Sequence, residues 1–241
     1  MVSTRKLIKA SYFAGKDFFR SPLLTSGPLP APAAVMVPIR SLGPGHAERI
    51  ARHLLSLSAA DRYLRFGYAA NDDQIQRYVD SLNFERDDIF GVYNRRLELI
   101  AVAHLAFAVD PDFTSCAEFG VSVLAKVRGR GYGARLFDRA VMHARNEGVQ
   151  MMFIHALSQN TVMLNIARKA GASIEREGSE SEAYLRLPPA DLDSRMTEMI
   201  EERVAQTDYR LKVQAYQFWD FLRMMQEVRR GVREARDRMP M

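Results

Sequence analysis

Three glycines within five residues, Gly129, Gly131 and Gly133, constrain the fold more than any other feature of the sequence. They follow a strand-like segment and open an amphipathic segment whose apolar residues recur at helical spacing. Backbone N–H groups at a helix N-terminus and the positive end of the helix dipole attract phosphate, and glycines let the backbone approach it closely. Arg128 and Arg130 add positive charge at the same place. The segment therefore has what a pyrophosphate-binding site requires.

The glycine cluster alone does not identify the fold, because Gly129-x-Gly131-x-x-Ala134 also satisfies the dinucleotide fingerprint of Rossmann domains. A Rossmann domain places an acidic residue at the end of the next strand, whereas that strand here ends in Ala156-Leu157-Ser158. It also opens with a βαβ unit, whereas this cluster follows three or four strands that look antiparallel. The dinucleotide interpretation fails on both counts.

The hydrophobic pattern around the cluster predicts alternating strands and helices. The predicted strands are Val35–Arg40, Ile89–Tyr93, Glu98–Val109, Ala117–Leu124, Met151–Leu157 and Ala183–Leu187. Helices are predicted after Gly45 through Leu57, over Asn71–Leu82, from Tyr132 to a stop at Gly148, and over Asn160–Ala170. The strand Met151–Leu157 is apolar on both faces, which is typical of a central parallel strand covered on both sides.

The glycine cluster and the segment after it resemble the GNAT superfamily of N-acyltransferases. The family signature is Gln or Arg, two residues, Gly, one residue, then Gly or Ala, and Arg128, Gly131 and Gly133 match it. Asn160 stands eleven residues before Gly171, which is the spacing of the family's second signature.

The resemblance is specific over Ala117–Leu187 and compatible but unspecific over Val35–Val109. It implies an α/β (α+β) fold with a mixed, mostly antiparallel sheet flanked by helices. The sheet would splay open at the cofactor site, between the strands at Glu118–Leu124 and Met151–Leu157.

The resemblance also implies acetyl-CoA, or another acyl-CoA, as the cofactor. Its pantetheine would pair with backbone groups of the Val121–Val123 strand, and its pyrophosphate would rest on amides from Lys126 to Gly133. The implied cofactor-binding residues are Val121, Ser122, Val123, Arg128, Gly129, Arg130, Gly131, Tyr132, Gly133, Ala134 and Asn160. Most of these contacts are main-chain contacts, so side-chain identity is a weak test of them.

Acyl transfer to an amine requires a base, because an alkyl ammonium with a pKa of about 10 is not a nucleophile. Glu118 is the candidate, since its context resembles the GNAT domains of bacterial protein-lysine acetyltransferases, where a glutamate here acts as base. A strand-edge carboxylate in a salt bridge is the alternative interpretation. Ala167 stands where many members have a tyrosine general acid, but a thiol with a pKa of about 8.5 can leave unaided. Tyr132 and Tyr184 are further candidate donors, although packing explains each more simply.

The remaining polar residues on predicted elements have simpler interpretations. We expect His104 and His155, on apolar strands, to be hydrogen-bonded core histidines, and His46 and His53 to be solvated on the first helix. Asn160 either caps its helix or helps to position the cofactor, and the cap is the simpler role. No set of histidines and carboxylates has metal-ligand spacing, so no metal site is predicted.

The acceptor side is predicted from local charge and from the resemblance. Between Asn71 and Asp88 the sequence holds six acidic residues and two arginines. This acidity favours a cationic amine, either a small molecule or a protein lysine, and a solvated helix face is the alternative. The Asp61–Phe66 segment resembles the corresponding part of protein-lysine acetyltransferases, which favours a protein acceptor.

Two functions are compatible with these features. One is an enzyme that transfers an acetyl or other acyl group from CoA to a primary amine. The other is a non-catalytic acyl-CoA-binding module of the same fold that acts on a partner through its C-terminal helices.

Composition divides the chain into a basic tail and Pro-rich linker at 1–33, an acyltransferase domain at 34–189 and a helical extension at 190–241. Residues 1–20 hold five basic residues against one acidic residue, while the whole chain carries +5, so no nucleic-acid partner is indicated. A single cysteine, Cys116, and the lack of an apolar run of about 18 residues predict a cytoplasmic protein without a membrane span.

The helical extension carries apolar residues at alternating steps of four and three, which indicates a coiled-coil-like seam. The seam consists of Leu211, Ala215, Phe218, Leu222 and Met225. It predicts a homodimer through the C-terminal helices, and packing of the helix on its own domain is the alternative.

Overall fold

The computed structural model describes residues 37–109 and 115–237, so the tail and linker predicted at 1–33 lie outside the described residues. A seven-stranded sheet has the order β1-β2-β3-β4-β5-β7-β6. Its strands are β1 (Arg40–Leu42), β2 (Asp88–Tyr93), β3 (Leu99–Phe107), β4 (Cys116–Val123), β5 (Met151–Leu157), β6 (Ser173–Glu177) and β7 (Glu180–Arg186). The helices are α1 (Ala47–Leu55), α2 (Ala59–Phe66), α3 (Asp72–Asp80), α4 (Tyr132–Asn146), α5 (Thr161–Lys169) and α6 (Leu192–Asp237).

Local side-chain hydrogen bonds explain where the short helices begin and end. The Ser58 hydroxyl accepts a hydrogen bond from the Asp61 N–H at the start of α2, and Asn71 and Gln74 form a capping box at the start of α3. Gly67, with φ of +79°, ends α2 in the left-handed conformation that favours glycine.

The sheet opens between β4 and β5. These parallel strands pair only over Cys116–Glu118 and Met151–Phe153. Beyond Glu118, β4 remains paired with β3 on its other edge, and β5 remains paired with β7. The predicted splayed sheet is therefore confirmed, and the edge of β4 that faces β5 is open from Phe119 onward.

Both faces of the sheet are covered by helices, which divides the core into two clusters. On one face, Phe119 and Met152 pack with Phe137 of α4 and with α5. On the other face, α1 and α3 bury Ile50 and Ile75 against β2 and β3. The predicted fold class, a mostly antiparallel mixed sheet with flanking helices and a C-terminal helical extension, is confirmed.

The N-terminal half of α6 packs on α4 through ion pairs, and it contacts β1 through a hydrogen bond from the Ser41 hydroxyl to Glu202. Arg139 of α4 is only 3% exposed and lies 3.3–3.7 Å from Glu198, Glu201 and Glu202. His143 bridges Glu198, at 2.5 Å, and Asp88, at 2.8 Å. Charge complementarity therefore fixes where this half of α6 lies.

Tyr209 and Lys212 of α6 contact the sheet. The Arg40 guanidinium lies 4.0 Å from the Tyr209 ring centroid, and the Lys212 ammonium donates a hydrogen bond to the Tyr93 carbonyl. Beyond Lys212, Phe218 and Trp219 are 57% and 64% exposed. A helix of 46 residues is about 69 Å long, which is enough to extend past the sheet.

Several predicted boundaries need correction, and two elements of the structure were not predicted. The first strand lies at Arg40–Leu42, so residues 37–39 of the predicted strand Val35–Arg40 are not in it, while residues 35 and 36 lie outside the described residues. The last strand begins at Glu180 instead of Ala183. Helix α2 was not predicted, since no residue in it is fully buried and its apolar pattern is weak. Strand β6 was not predicted either, because Ile174 is its one apolar residue.

Candidate active site

A cavity of about 320 Å³ lies where β4 and β5 separate. Glu118, the last residue of the parallel pairing, is exposed and borders it. Arg65 of α2, His155 of β5, Asn160 before α5 and Glu182 of β7 also border the cavity. The cavity therefore joins an exposed carboxylate to the open backbone edge of β4.

Alternation along β4 gives its two faces different chemistry. Glu118, Gly120 and Ser122 share one face, because successive strand residues point to opposite sides. Phe119 points to the other side, where its ring packs edge-to-face on Phe137 with centroids 5.1 Å apart. The apolar face fixes the strand in the core, which leaves the polar face for chemistry.

A chain of polar side chains lies behind the cavity. Arg65 donates a hydrogen bond to the Tyr78 hydroxyl (2.9 Å), which lies 2.8 Å from His104 Nδ1. His104 Nε2 lies 3.2 Å from Asp87, which Arg86 also binds. Since the Tyr78 hydroxyl accepts from Arg65, its own proton goes to Nδ1 and the Nε2 proton goes to Asp87.

The charge states along this chain follow from burial. Burial and the nearby Arg65 charge lower the pKa of His104, although Asp87 opposes them, so the ring is neutral at pH 7. Asp87 is buried, which by itself favours its protonated form, but hydrogen bonds from Arg86 and His104 hold its pKa below the usual range. His104 is thus a hydrogen-bonded core histidine, as predicted.

The loop before α4 has the geometry expected for binding an anion. Gly129 and Gly131 adopt left-handed φ values of +76° and +78°, and Gly131 is the N-cap of α4. A Cβ atom built on Gly129 would meet nothing within 4 Å, so the backbone is open to the outside. The first N–H groups of α4 have no acceptor within the helix. The loop therefore fits a pyrophosphate group.

Comparison with family models identifies the protein family that has this combination of an open strand and an anion-binding loop. The model of the acetyltransferase (GNAT) family matches residues 51–172, from α1 to the residue before β6. The chain belongs to the GNAT acetyltransferase family.

Solved structures of GNAT proteins share the fold at low sequence identity. The GNAT domain of S. lividans PAT aligns with a TM-score of 0.54 and 20% identity over 65% of this chain and 99% of that one. The ribosomal-protein-alanine N-acetyltransferase of Brucella melitensis aligns with a TM-score of 0.51 and 14% identity over 62% of this chain and 99% of that one. The spermidine N-acetyltransferase of Vibrio cholerae, in complex with CoA and spermine, aligns with a TM-score of 0.50 and 16% sequence identity. This alignment covers 63% of this chain and 95% of that one.

GNAT proteins use acyl-CoA, and the residues predicted to bind it here fall in two groups. Val121, Ser122 and Val123 lie on the open part of β4. Apart from Asn160, which lies before α5, the others follow along the loop and the first turn of α4: Arg128, Gly129, Arg130, Gly131, Tyr132, Gly133 and Ala134. A Cβ atom at Gly133 would lie 3.6 Å from Ile166 and 3.8 Å from Val123, so α4 packs closely on its neighbours there.

Two of the predicted cofactor residues also have structural roles. The Arg128 guanidinium lies 2.5 Å from Asp61 of α2, and its Nε donates a hydrogen bond to the Val123 carbonyl. Burial of Asp61 favours its neutral form, but hydrogen bonds from Arg128 and Ser58 lower its pKa overall. The Asn160 side chain accepts a hydrogen bond from the Met163 N–H and caps α5, as predicted.

The candidate general acids are committed to packing or to other hydrogen bonds. The Tyr184 hydroxyl donates a hydrogen bond to Glu182, and its ring packs on Phe153. Tyr132 packs against the core at the start of α4. Ala167 is fully buried at the position of the usual tyrosine.

Two histidines do not lie where the sequence placed them. His53, predicted to be solvated, is 3% exposed and lies 2.9 Å from the Leu99 carbonyl and 2.8 Å from the Ser122 hydroxyl. Burial lowers its pKa to about 4, so the ring is neutral. The side chain of His155, predicted to be in the core, is 52% exposed and pairs with Glu182. Strand β5 is therefore fully covered on one face only.

The acidic segment before β2 does not present a uniform negative surface. Asp72 pairs with Arg62 at 2.7 Å, Asp87 is buried against Arg86 and His104, and Asp88 pairs with His143. These pairs weaken the argument that the segment attracts a cationic acceptor.

Two negative findings apply to the described parts of the chain only. Among residues 37–109 and 115–237, no three histidine, cysteine or carboxylate side chains cluster in a way that could hold a metal ion. None of the helices within the same residues is long and apolar enough to cross a membrane.

Proposed function

We propose that the protein transfers an acyl group, acetyl in the first instance, from CoA to a primary amine, with Glu118 as the general base. One observation carries this proposal. The exposed Glu118 carboxylate borders the cavity at the point where β4 and β5 part. A base at this point faces the end of the open strand edge, where a reacting group held along that edge would lie.

Different residues of the chain would bind the cofactor and take the proton of the acceptor. The bound acyl-CoA would supply the acyl group as a thioester. Backbone groups of Val121–Val123, on the open edge of β4, and amides of the loop at Arg128–Ala134 would hold the cofactor. Glu118 takes a proton from the acceptor ammonium, which makes the amine a nucleophile. The cofactor role of Asn160, beyond its helix cap, is part of the same proposal.

The proposed acceptor is a primary amine, and a protein lysine is the specific candidate. The Asp61–Phe66 motif supports this choice through its resemblance to protein-lysine acetyltransferases. A cytoplasmic location, consistent with one unpaired cysteine at position 116, belongs to the same proposal.

The Glu118→Gln variant tests the assignment of the base. We expect CoA binding to persist and turnover at neutral pH to fall about 100-fold or more, because the amide cannot accept the proton. Raising the pH should restore part of the rate, since free amine then forms without enzymatic help. Thiol release from acetyl-CoA with a panel of amines measures both effects.

Glu147→Gln is the matched control for this experiment. Glu147 is an exposed glutamate at the C-terminal end of α4, far along the helix from the loop. It should leave turnover unchanged at every pH. Full activity of Glu118→Gln at neutral pH would assign Glu118 a structural role instead.

A second candidate function is a non-catalytic acyl-CoA-binding module. The exposed aromatic residues of α6, which could contact a partner, favour it. The same assays separate the two functions. A protein that binds acyl-CoA but releases no thiol with any amine or protein lysate would be such a module.

A further inference from the structure

The Arg65 guanidinium lies directly on β4 beside the proposed base. A Cβ atom built on Gly120 would come within 2.7 Å of Arg65 Cζ and 2.8 Å of both terminal nitrogens. Glycine at this position therefore leaves the room that the guanidinium occupies. Glu118 and Gly120 point to the same face of the strand, about 7 Å apart.

The guanidinium is held in place from behind, yet it is not saturated with partners. One terminal nitrogen donates to Tyr78, which the His104–Asp87 pair orients in turn. The Nε of Arg65 is buried and has no hydrogen-bond partner among the residues that the structure describes. Because Arg65 borders the same cavity as Glu118, its guanidinium can donate a hydrogen bond to an acceptor oxygen that is bound there.

We propose that Arg65 determines acceptor specificity by binding a carbonyl or carboxylate oxygen of the acceptor while Glu118 faces its amine. This inference rests on the proposed function and narrows its substrate class. Glu118 and Gly120, on which Arg65 lies, are two residues apart on β4, with Cα atoms separated by about 7 Å, so the required acceptor carries an oxygen at a distance of this order from its amine. A lysine side chain separates its amine from its own carbonyl by a span of this order, in a peptide or in the free amino acid.

The same geometry discriminates against simple polyamines. A second ammonium group at this distance would lie against the Arg65 charge. Like charges in a partly buried site repel each other, and the guanidinium would gain no acceptor oxygen. Arg65 therefore selects both for an oxygen and against a second cation.

Three acceptors that share one alkylamine chain test the proposal. Nα-acetyl-lysine carries a carboxylate, Nα-acetyl-lysine amide carries only carbonyl oxygens, and pentylamine carries no oxygen. We expect wild-type kcat/KM to be higher for the two lysine derivatives than for pentylamine. A preference for the carboxylate or for the amide identifies which oxygen is bound, and either supports the proposal.

In Arg65→Met, kcat/KM for the lysine derivatives should fall about tenfold more than for pentylamine, chiefly through KM, because a charge-assisted hydrogen bond is lost. Arg65→Lys should show a smaller selective loss, since it keeps the charge without the planar fork. Tyr78→Phe should shift selectivity in the same direction, because it removes the hydroxyl that positions the guanidinium.

Arg77→Met is the control, since Arg77 is an exposed arginine on α3 next to Tyr78. It should not change the ratio between acceptors. Calorimetric CoA binding identifies any variant that fails to fold, and in that case the wild-type preference and the other variants carry the test. Equal loss for all three acceptors, or a wild type that does not distinguish them, would overturn the proposal. A wild type that acylates no amine would instead refute the proposed function itself.

Discussion

At the scale of single residues, Gly131 combines an unusual backbone conformation with an open position. Its φ of +78° lies in the left-handed region, and the nearest atom to an added Cβ is 4.0 Å away, in Arg135. A side chain there would project into free space in front of the α4 N-terminus. The folded protein would therefore accommodate a larger side chain at position 131, whereas that side chain would exclude a bound phosphate group.

We expect Gly131→Glu to abolish measurable CoA binding while the protein still folds. The new side chain would occupy the phosphate position with a negative charge, opposing the attraction of the helix N-terminus. Left-handed backbone at a non-glycine residue would cost about 1–2 kcal/mol of folding free energy. Calorimetric titration with CoA, together with thermal unfolding, separates the two effects.

Gly148→Glu supplies the control for backbone strain. Gly148 has φ of +83° and an equally open surrounding, but it lies just after the C-terminal end of α4. The Gly148→Glu variant should lose about as much stability as Gly131→Glu and keep the wild-type affinity for CoA. If folded Gly131→Glu bound CoA as tightly as the wild type, the loop would not be the pyrophosphate site.

At the scale of elements, the contact between α4 and α6 should depend on pH through His143. The ring is largely buried, which favours its neutral form, but the hydrogen bonds that it donates to the carboxylates of Asp88 and Glu198 raise its pKa to about 9. The same contact, against the effect of burial, lowers the pKa of Glu198 to about 2. A histidine whose pKa is raised on folding stabilises fully below its unfolded value of about 6.5. That contribution is lost as the pH rises through 9.

We therefore expect the unfolding temperature to decrease between pH 6.5 and 9.5, and His143→Gln to flatten this decrease. The contribution lost is at most about 3 kcal/mol, and Arg139 still pairs with the α6 glutamates at high pH. Thermal unfolding followed by circular dichroism measures the slope. His155→Gln, which removes a half-exposed histidine, should leave the slope as in the wild type. An unchanged slope in His143→Gln would show that another group controls the contact.

The elements also show what the sequence could and could not predict. Strand β5 was predicted with the bounds that the structure has, because seven consecutive apolar or near-apolar residues end at polar ones. Helix α2 was not predicted, because its packing depends on Arg65 and Arg62, whose long polar side chains give no periodic apolar signal. Its capping residues, Ser58 and Gly67, were the signal that could have located it.

The site was predictable where it depends on local sequence and unpredictable where it depends on tertiary contacts. Glu118 and the glycine loop could be proposed from the sequence because both lie in short local motifs. The Arg65–Tyr78–His104 chain connects α2, α3 and β3, so no short spacing in the sequence could predict it. Gly120, in the middle of a strand, was the available signal of a close approach.

At the scale of the whole molecule, the distal half of α6 has more apolar surface than a helix normally leaves in water. Its exposed apolar residues are Leu211, Tyr216, Phe218, Trp219, Phe221, Met224 and Met225. We propose that a second copy of the chain covers this surface. In sequence, residues 191–222 carry a net charge of −3 and residues 223–241 a net charge of +3. Two such helices in antiparallel orientation would bring their apolar surfaces together. Since Arg139 of α4 already pairs with Glu198, Glu201 and Glu202 of the acidic half, the apolar surface carries this proposal.

We expect the intact protein to be a dimer by light scattering and Phe218→Glu to be a monomer at the same concentration. Phe218 is 57% exposed in the single chain and lies in the middle of the seam formed by Leu211, Ala215, Phe218, Leu222 and Met225. A carboxylate there would be buried without a partner on association, which is costly. Gln217→Glu introduces the same charge one residue away, off the seam, and should remain dimeric. An intact protein that stays monomeric at high concentration would exclude self-association and leave the surface to a different partner.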